Sequence, residues 1–342
     1  TLAVFTFTLF LSITVIMAFF KQDDPDFKSD FLYMPEPGSM HMTTQGLYLA
    51  VSLDDVNHNF SHSMIGVRVR WANYTRLSDG TLLKSKIQLP MKFCTVEDNF
   101  PEYPDDFTQY RFDLALCPEP TDIPLSGVFL SNVFQFLEIL VEECDDTLHA
   151  QSGITCAPKA ERDAYFAGAK VKFQVFYKNY IVNPSDAKDP FKGYITNMFY
   201  YINQGLLGKS IDVFIQETEL ESYKHMINSE SSETTNLYTI GNEVAAQTFV
   251  PTSTKDKAEF LSINLRKSQT KVKYTRRFTN LPDMISYFGG LWGILYGLSS
   301  IAAAAHNKIS YQKSLSDAMF RFENPGLTRR VKQAKVIKKL ML

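Results

Sequence analysis

The stretch Gly289-Gly290-Leu291-Trp292-Gly293-Ile294-Leu295-Tyr296-Gly297-Leu298-Ser299 lies inside a run, residues 284–305, that contains no charged side chain. The 22 residues of that run, at a rise of about 1.5 Å each, reach about 33 Å, enough to cross the hydrocarbon core of a bilayer. Four glycines in eleven positions would weaken a helix in water. In a membrane they let neighbouring helix backbones touch, because packing there depends on close van der Waals approach. Gly289, Gly293 and Gly297 are spaced four apart and share one helix face, with Gly290 beside it. The sequence therefore reads as a membrane helix with an assembly face.

A second apolar run opens the chain. Residues 1–20 carry no charge, proline or glycine and end at Lys21, Asp23 and Asp24. Their length suits a spanning helix. A secretory signal peptide would show a basic n-region, a shorter apolar part and a small-x-small cleavage site, and these are missing. Two spans put both chain ends on one side. The tail, 306–342, carries nine Lys/Arg against two acidic residues, whereas 21–283 carries 26 basic against 35 acidic residues. By the positive-inside rule the tail is expected in the cytoplasm and the large segment outside or in a lumen. The expected organisation is a transmembrane helix over 1–20, an external β-rich domain over 21–283, a second transmembrane helix over 284–305 and a basic cytoplasmic tail over 306–342.

Cys94, Cys117, Cys144 and Cys156 all fall in the external segment. Four cysteines allow three pairings, of which neighbour with neighbour is the simplest. Asn59-Phe60-Ser61 and Asn73-Tyr74-Thr75 are N-glycosylation sequons, usable in a lumen. Period-two alternation predicts strands over 48–52, 64–71, 170–177 and 210–216, and two more over 260–265 and 270–274. Ser78-Asp79-Gly80 reads as a hairpin turn and Asn183-Pro184-Ser185 as a loop start. Residues 94–124 read as an irregular, disulfide-held excursion, and 228–235 as an exposed loop. The expected fold class is a membrane protein with two transmembrane helices flanking a β-sandwich-like, disulfide-containing external domain, helix being the minor component.

The chain carries no nucleophile elbow, phosphate loop, zincin motif or dinucleotide fingerprint, so no enzyme, cofactor or metal is expected. His58 and His62 are four apart, but their region reads as loop and strand, and they are assigned to solvated surface along with His41. The pairs Asp54-Asp55, Asp105-Asp106 and Asp145-Asp146 match no calcium loop and read as surface turns. The external location argues against nucleic acid as the partner of Lys271, Lys273, Arg276 and Arg277. They are assigned to lipid headgroups or to acidic groups of a neighbouring subunit. In the tail, Arg329, Arg330 and Lys332 belong to a basic amphipathic segment, 327–342, suited to an anionic leaflet or a partner helix.

The spacing Gly289-Gly290-x-x-Gly293-x-x-x-Gly297-x-Ser299 resembles the second-span pattern of the epithelial sodium channel and acid-sensing channel superfamily. That resemblance implies a trimeric cation pore with Gly297, Leu298 and Ser299 at its constriction. The chain departs from the superfamily in having only four external cysteines and no acidic residue directly after Ser299, where Ser300-Ile301-Ala302-Ala303-Ala304-Ala305 follows. Over more of its length it is similar to a group of two-pass membrane proteins of ciliates and related protists. The likeness rests on Phe93-Cys94, Leu116-Cys117-Pro118, Cys144 and Cys156, Tyr274-Thr275-Arg276-Arg277, and Ser286-x-x-Gly289-Gly290. It implies class and topology only.

The expected protein is an integral membrane protein of the secretory pathway, at the plasma or ciliary membrane. It acts as a surface, scaffold or assembly subunit in a homo- or hetero-oligomer. A cation-channel subunit is the alternative reading, and a cargo receptor of the early secretory pathway shares the same plan. No small-molecule ligand is assigned.

Overall fold

The computed structural model describes residues 2–21, 25–54, 62–149, 153–168, 171–183, 186, 188–202, 208–224, 232–249 and 259–319. The chain divides into two compact units, one from residues 1–19 and 281–342 and the other from residues 20–280.

The first unit contains the apolar runs as helices. Helix α1 (Leu2–Lys21) has 20 residues and stops at the first charge. Helix α6 (Leu281–Met319) has 39 residues, none of them buried, and is long and apolar enough to cross a membrane. At about 1.5 Å per residue, it extends past both ends of the uncharged run 284–305, so the helix continues into the region read as tail.

The second unit is β-rich. Its larger sheet has the order β13-β12-β14-β9-β4-β5, built from β4 (Ile65–Arg76), β5 (Leu82–Leu89), β9 (Val133–Glu143), β12 (Gly208–Tyr223), β13 (Glu233–Phe249) and β14 (Glu259–Arg277). A seventh strand, β1 (Asp26–Tyr33), pairs antiparallel with residues 270–277 of β14. The smaller sheet has the order β11-β10-β3-β7-β6, from β3 (Leu49–Asp54), β6 (Met91–Phe93), β7 (Leu116–Pro118), β10 (Val171–Val182) and β11 (Phe191–Ile202). A two-residue pairing joins β2 (Met40–His41) to β8 (Pro124–Leu125).

Alternation creates the sandwich. Ile65, Val67 and Val69 of β4, Leu137, Ile139 and Val141 of β9, and Ile263 and Leu265 of β14 share one buried core with Val51, Leu53, Phe173 and Val175 from the other sheet. Each buried side chain of this size contributes roughly 1.5–3 kcal/mol relative to exposure.

The smaller sheet is also covered on its other face, by the segment that reads from sequence as an irregular excursion. Residues 94–117 form two short helices, α2 (Val96–Asn99) and α3 (Pro104–Gln109), and a 3-10 turn at Phe112–Leu114. Phe100, Phe107 and Phe112 pack with Ala50 and Phe176 in a second cluster, with the Phe100 and Phe112 rings stacked at 4.6 Å. The excursion is therefore a third layer. The Cys94–Cys117 disulfide ties its two ends, and the Cys144–Cys156 disulfide spans the short helix α4 (Asp146–His149), ahead of α5 (Lys159–Gly168).

Two further readings change. The strands expected over 260–265 and 270–274 are one strand of 19 residues. Register passes from Ile215↔Lys267 to Glu217↔Lys271, and the irregularity is held by Ser268 Oγ, which accepts from the Thr270 amide at 3.1 Å. Glu233–Thr235, expected in a loop, begins β13; positions 228–231 lie outside the described residues.

The turn before β9 requires one glycine. Gly127 has φ +66, and a Cβ there would strike the Val133 carbonyl oxygen and the Ser131 side chain. Gly127→Ala is expected to cost about 2 kcal/mol or more, measured as a lowered thermal midpoint by circular dichroism of the purified chain. An unchanged midpoint would contradict this account of the turn.

Candidate functional site: the glycine face and the strand before it

On α6 a Cβ built at Gly289, Gly290, Gly293 or Gly297 meets nothing within 4 Å. Trp292, Tyr296 and Leu298 are exposed, and so is Ser299. The whole face expected to assemble is therefore unoccupied by the described residues of its own chain.

The strand that precedes α6 in the chain carries the basic run. Lys271 and Lys273 are expected from sequence to meet lipid or a neighbouring subunit, but here they are paired inside the chain. Parallel pairing sets Glu217 opposite Lys271 and Glu219 opposite Lys273. Lys271 reaches Glu217 at 2.9 Å and Glu219 at 2.5 Å. Lys273 reaches Glu219 at 3.2 Å and Glu221 at 2.8 Å, and buried Lys267 closes the row on Glu217 at 3.1 Å. Arg276 is 1 % exposed, donates to Ser222 Oγ at 2.7 Å and to the Asp186 carbonyl at 2.6 Å, and stacks on Phe278. Arg277 remains exposed. The missed signal is the acidic half of the row: Glu217, Glu219 and Glu221 recur every second residue, as a strand face requires.

This row shifts its acids downward. Burial works against the Glu217 carboxylate, but the Lys271 bond and the Lys267 charge outweigh it and hold its pKa below the ordinary value. The Lys271 bond, against a smaller burial cost and with help from Lys273, depresses Glu219. The Lys273 bond and the Tyr223 hydroxyl depress Glu221.

A second charged feature was not foreseen. Lys178 on β10 is buried, bonds Glu102 at 2.6 Å, and sits about 5 Å from the rings of Tyr48, Tyr103 and Tyr180. Burial opposes its charge, but the bonds to Glu102 and Tyr180 outweigh that cost and hold its pKa above the ordinary lysine value. The pair clips the third layer to the sheet.

Of the histidines, His62 is buried rather than solvated, its Nε2 lying 2.7 Å from the Leu114 carbonyl. Exposed His41 lies with its Nδ1 3.0 Å from Asp122. His58 lies outside the described residues. Of the two sequons, Asn73 sits on β4, where its Oδ1 accepts from Gln135 at 3.4 Å. Asn59, Arg329, Arg330 and Lys332 lie outside the described residues.

These observations define a disulfide-bonded β-sandwich domain followed, among the described residues, by a long apolar helix. The family described as "Uncharacterised 80 kDa protein N-terminal domain" matches residues 50–268, over half the chain, and the chain belongs to that family. No curated protein matches the chain. Among solved structures it is similar to a proton-activated chloride channel determined by cryo-EM, at TM-score 0.27 and 9% identity, over 90% of this chain and 95% of that one. It is also similar to the crystal structure of Erv41p, at TM-score 0.21 and 10% identity, over 72% and 99%. Scores of this size leave fold and function to be argued from the chain itself.

Because the glutamates of the row have depressed folded-state pKa values, their contribution is full above the unfolded glutamate value of about 4.3 and is lost as pH falls from there through the lower folded-state values. The thermal midpoint is expected to drop as pH falls below about 5 towards about 2, and Glu219→Gln is expected to flatten that slope. An equal slope in the variant would show that the row is not the source.

Proposed function

We propose that this chain is a two-span integral membrane protein whose α6 glycine face joins it to other chains, making it an assembly or scaffold subunit of a membrane complex. The reading takes α1 as the first span and α6 as the second, with the β-sandwich outside and both termini cytoplasmic. It assigns the chain no catalytic role.

The observation that carries the reading is the open space around Gly289, Gly293 and Gly297, where a Cβ would meet nothing within 4 Å among the described residues. A helix of glycines that approaches nothing loses helix stability for no return in packing. Close contact with another membrane helix supplies that return.

The Gly297-x-Ser299 step supports a second reading, a subunit of a cation channel. Backbone carbonyls and the Ser299 hydroxyl would then replace part of an ion's hydration shell. No Asp, Glu, Lys, Arg or His lies in 284–305, which weighs toward the packing role, since such residues often mark ion paths.

The test is native mass spectrometry of the full chain in lipid nanodiscs, beside a Gly293→Leu/Gly297→Leu variant. The wild type is expected to be oligomeric and the variant's association constant reduced about tenfold or more, a loss of at least about 1.4 kcal/mol. A monomeric wild type, or an unaffected variant, would overturn the packing role. Planar-bilayer currents that change on Ser299→Ala would move the assignment to the channel.

A further inference from the structure

Strand β5 lies at one end of the larger sheet and pairs, among the described residues, only with β4. Its side chains alternate between two faces. Lys84 and Lys86 take one face, where Lys84 lies over the Tyr74 ring and Lys86 pairs with Glu138. Leu83, Ser85, Ile87 and Leu89 take the other, which continues the face of β4 that builds the sandwich core. Leu89 stands opposite Val69, and both are buried. Further along the same face Ile87 and Leu83 are 52% and 53% exposed, and Val133 at the start of β9 is 41% exposed. An apolar face left half in water beside an open edge strand is a liability that proteins cover.

One residue on this face identifies the cover. Asn73 of β4 stands at its centre, opposite Ser85 across one pairing and Gln135 across the other. Leu83, Ile87 and Val133 are therefore its diagonal neighbours, about 7–8 Å away. Asn73-Tyr74-Thr75 is an N-glycosylation sequon. The strand puts Asn73 and Thr75 on this face and turns Tyr74 to the other, against Phe134 and Phe136. Asn73 is half-buried, and its Oδ1 accepts from Gln135. Its Nδ2, the atom that carries a sugar, has no hydrogen-bond partner among the described residues.

We infer that Asn73 carries an N-linked glycan, and that the glycan lies over Leu83, Ile87 and Val133. The donor is an oligosaccharide on a lipid diphosphate, handed over by a lumenal transferase. The Asn73 Nδ2 forms a bond to the anomeric carbon of the first sugar and gives up one proton. The bond from that carbon to the diphosphate oxygen breaks, and the lipid diphosphate leaves with the electron pair. A glycan is bulky and solubilising. Placed here, it shields the apolar side chains and blocks the free edge of β5 from pairing with another strand. The inference rests on the reading that places the β-sandwich outside, and adds to it a modified residue and what the modification does.

The full chain is expressed in eukaryotic cells, and its mass is compared before and after peptide N-glycosidase. Asn73→Gln and Thr75→Ala, which break the sequon at different residues, are each expected to lose the mass of one glycan, and Thr75→Ser to keep it. Asp79→Asn completes a sequon with Gly80 and Thr81 in the exposed β4–β5 turn and is expected to gain one glycan. If Asn73→Gln and Thr75→Ala lose no mass, the site is overturned. A gain on Asp79→Asn then keeps the external placement and returns the face to a protein partner or a bilayer, whereas no glycan on any chain overturns both. Removing the glycan from the folded protein is expected to raise hydroxyl-radical labelling of Leu83, Ile87 and Val133 about twofold or more, with exposed Leu130 unchanged. Equal labelling before and after would overturn the covering role.

Discussion

The parallel pairing of β12 with β14 is the constraint on which the rest of the structure depends. Residues 209–223 of β12 run beside 261–277 of β14. The other edge of β14 is shared between β9 at 259–265 and β1 at 270–277. One strand thus fastens the sandwich at one end and the strand after α1 at the other. Parallel register also decides the chemistry, because it sets Glu217 and Glu219 directly opposite Lys271 and Lys273. A shift of one residue would turn every side chain to the opposite face.

That pairing explains why a basic run before a long apolar helix is not a free basic patch. The same lysines that suggest lipid headgroups in the sequence are half-buried and matched by β12. Arg276 goes further, tucked against Ser222 and the Asp186 carbonyl. Within the β-rich unit, exposed large apolar side chains stand instead along β1 and on the Phe129–Leu130 turn.

The sequence made the sandwich legible wherever a strand alternates cleanly, as in β4, where Ile65, Val67 and Val69 face the core and Arg68 and Arg70 face out. It misled where both faces are buried or where a strand bends. Phe100, Phe107 and Phe112 have no period because they come from two short helices and a turn, so their layer looks irregular. Lys267-Ser268-Gln269 breaks the apolar alternation of β14, yet Ser268 bridges the irregularity and the strand continues. Lys178 carries no local signal, since Tyr48, Tyr103 and Glu102 reach it from distant segments. The glycine face was legible from spacing alone, and the structure adds that the described residues of its own chain leave it open.

The proposed topology, with α1 and α6 as spans and the β-sandwich outside, makes a direct prediction. Ser78→Cys, in the exposed β4–β5 turn, and Ser314→Cys, in the exposed part of α6 beyond the uncharged run, place single thiols in the sandwich and past the apolar run of α6. In sealed, right-side-out vesicles a membrane-impermeant maleimide is predicted to label Ser78→Cys at once and Ser314→Cys only after permeabilisation. Labelling of both from the same side would contradict the account.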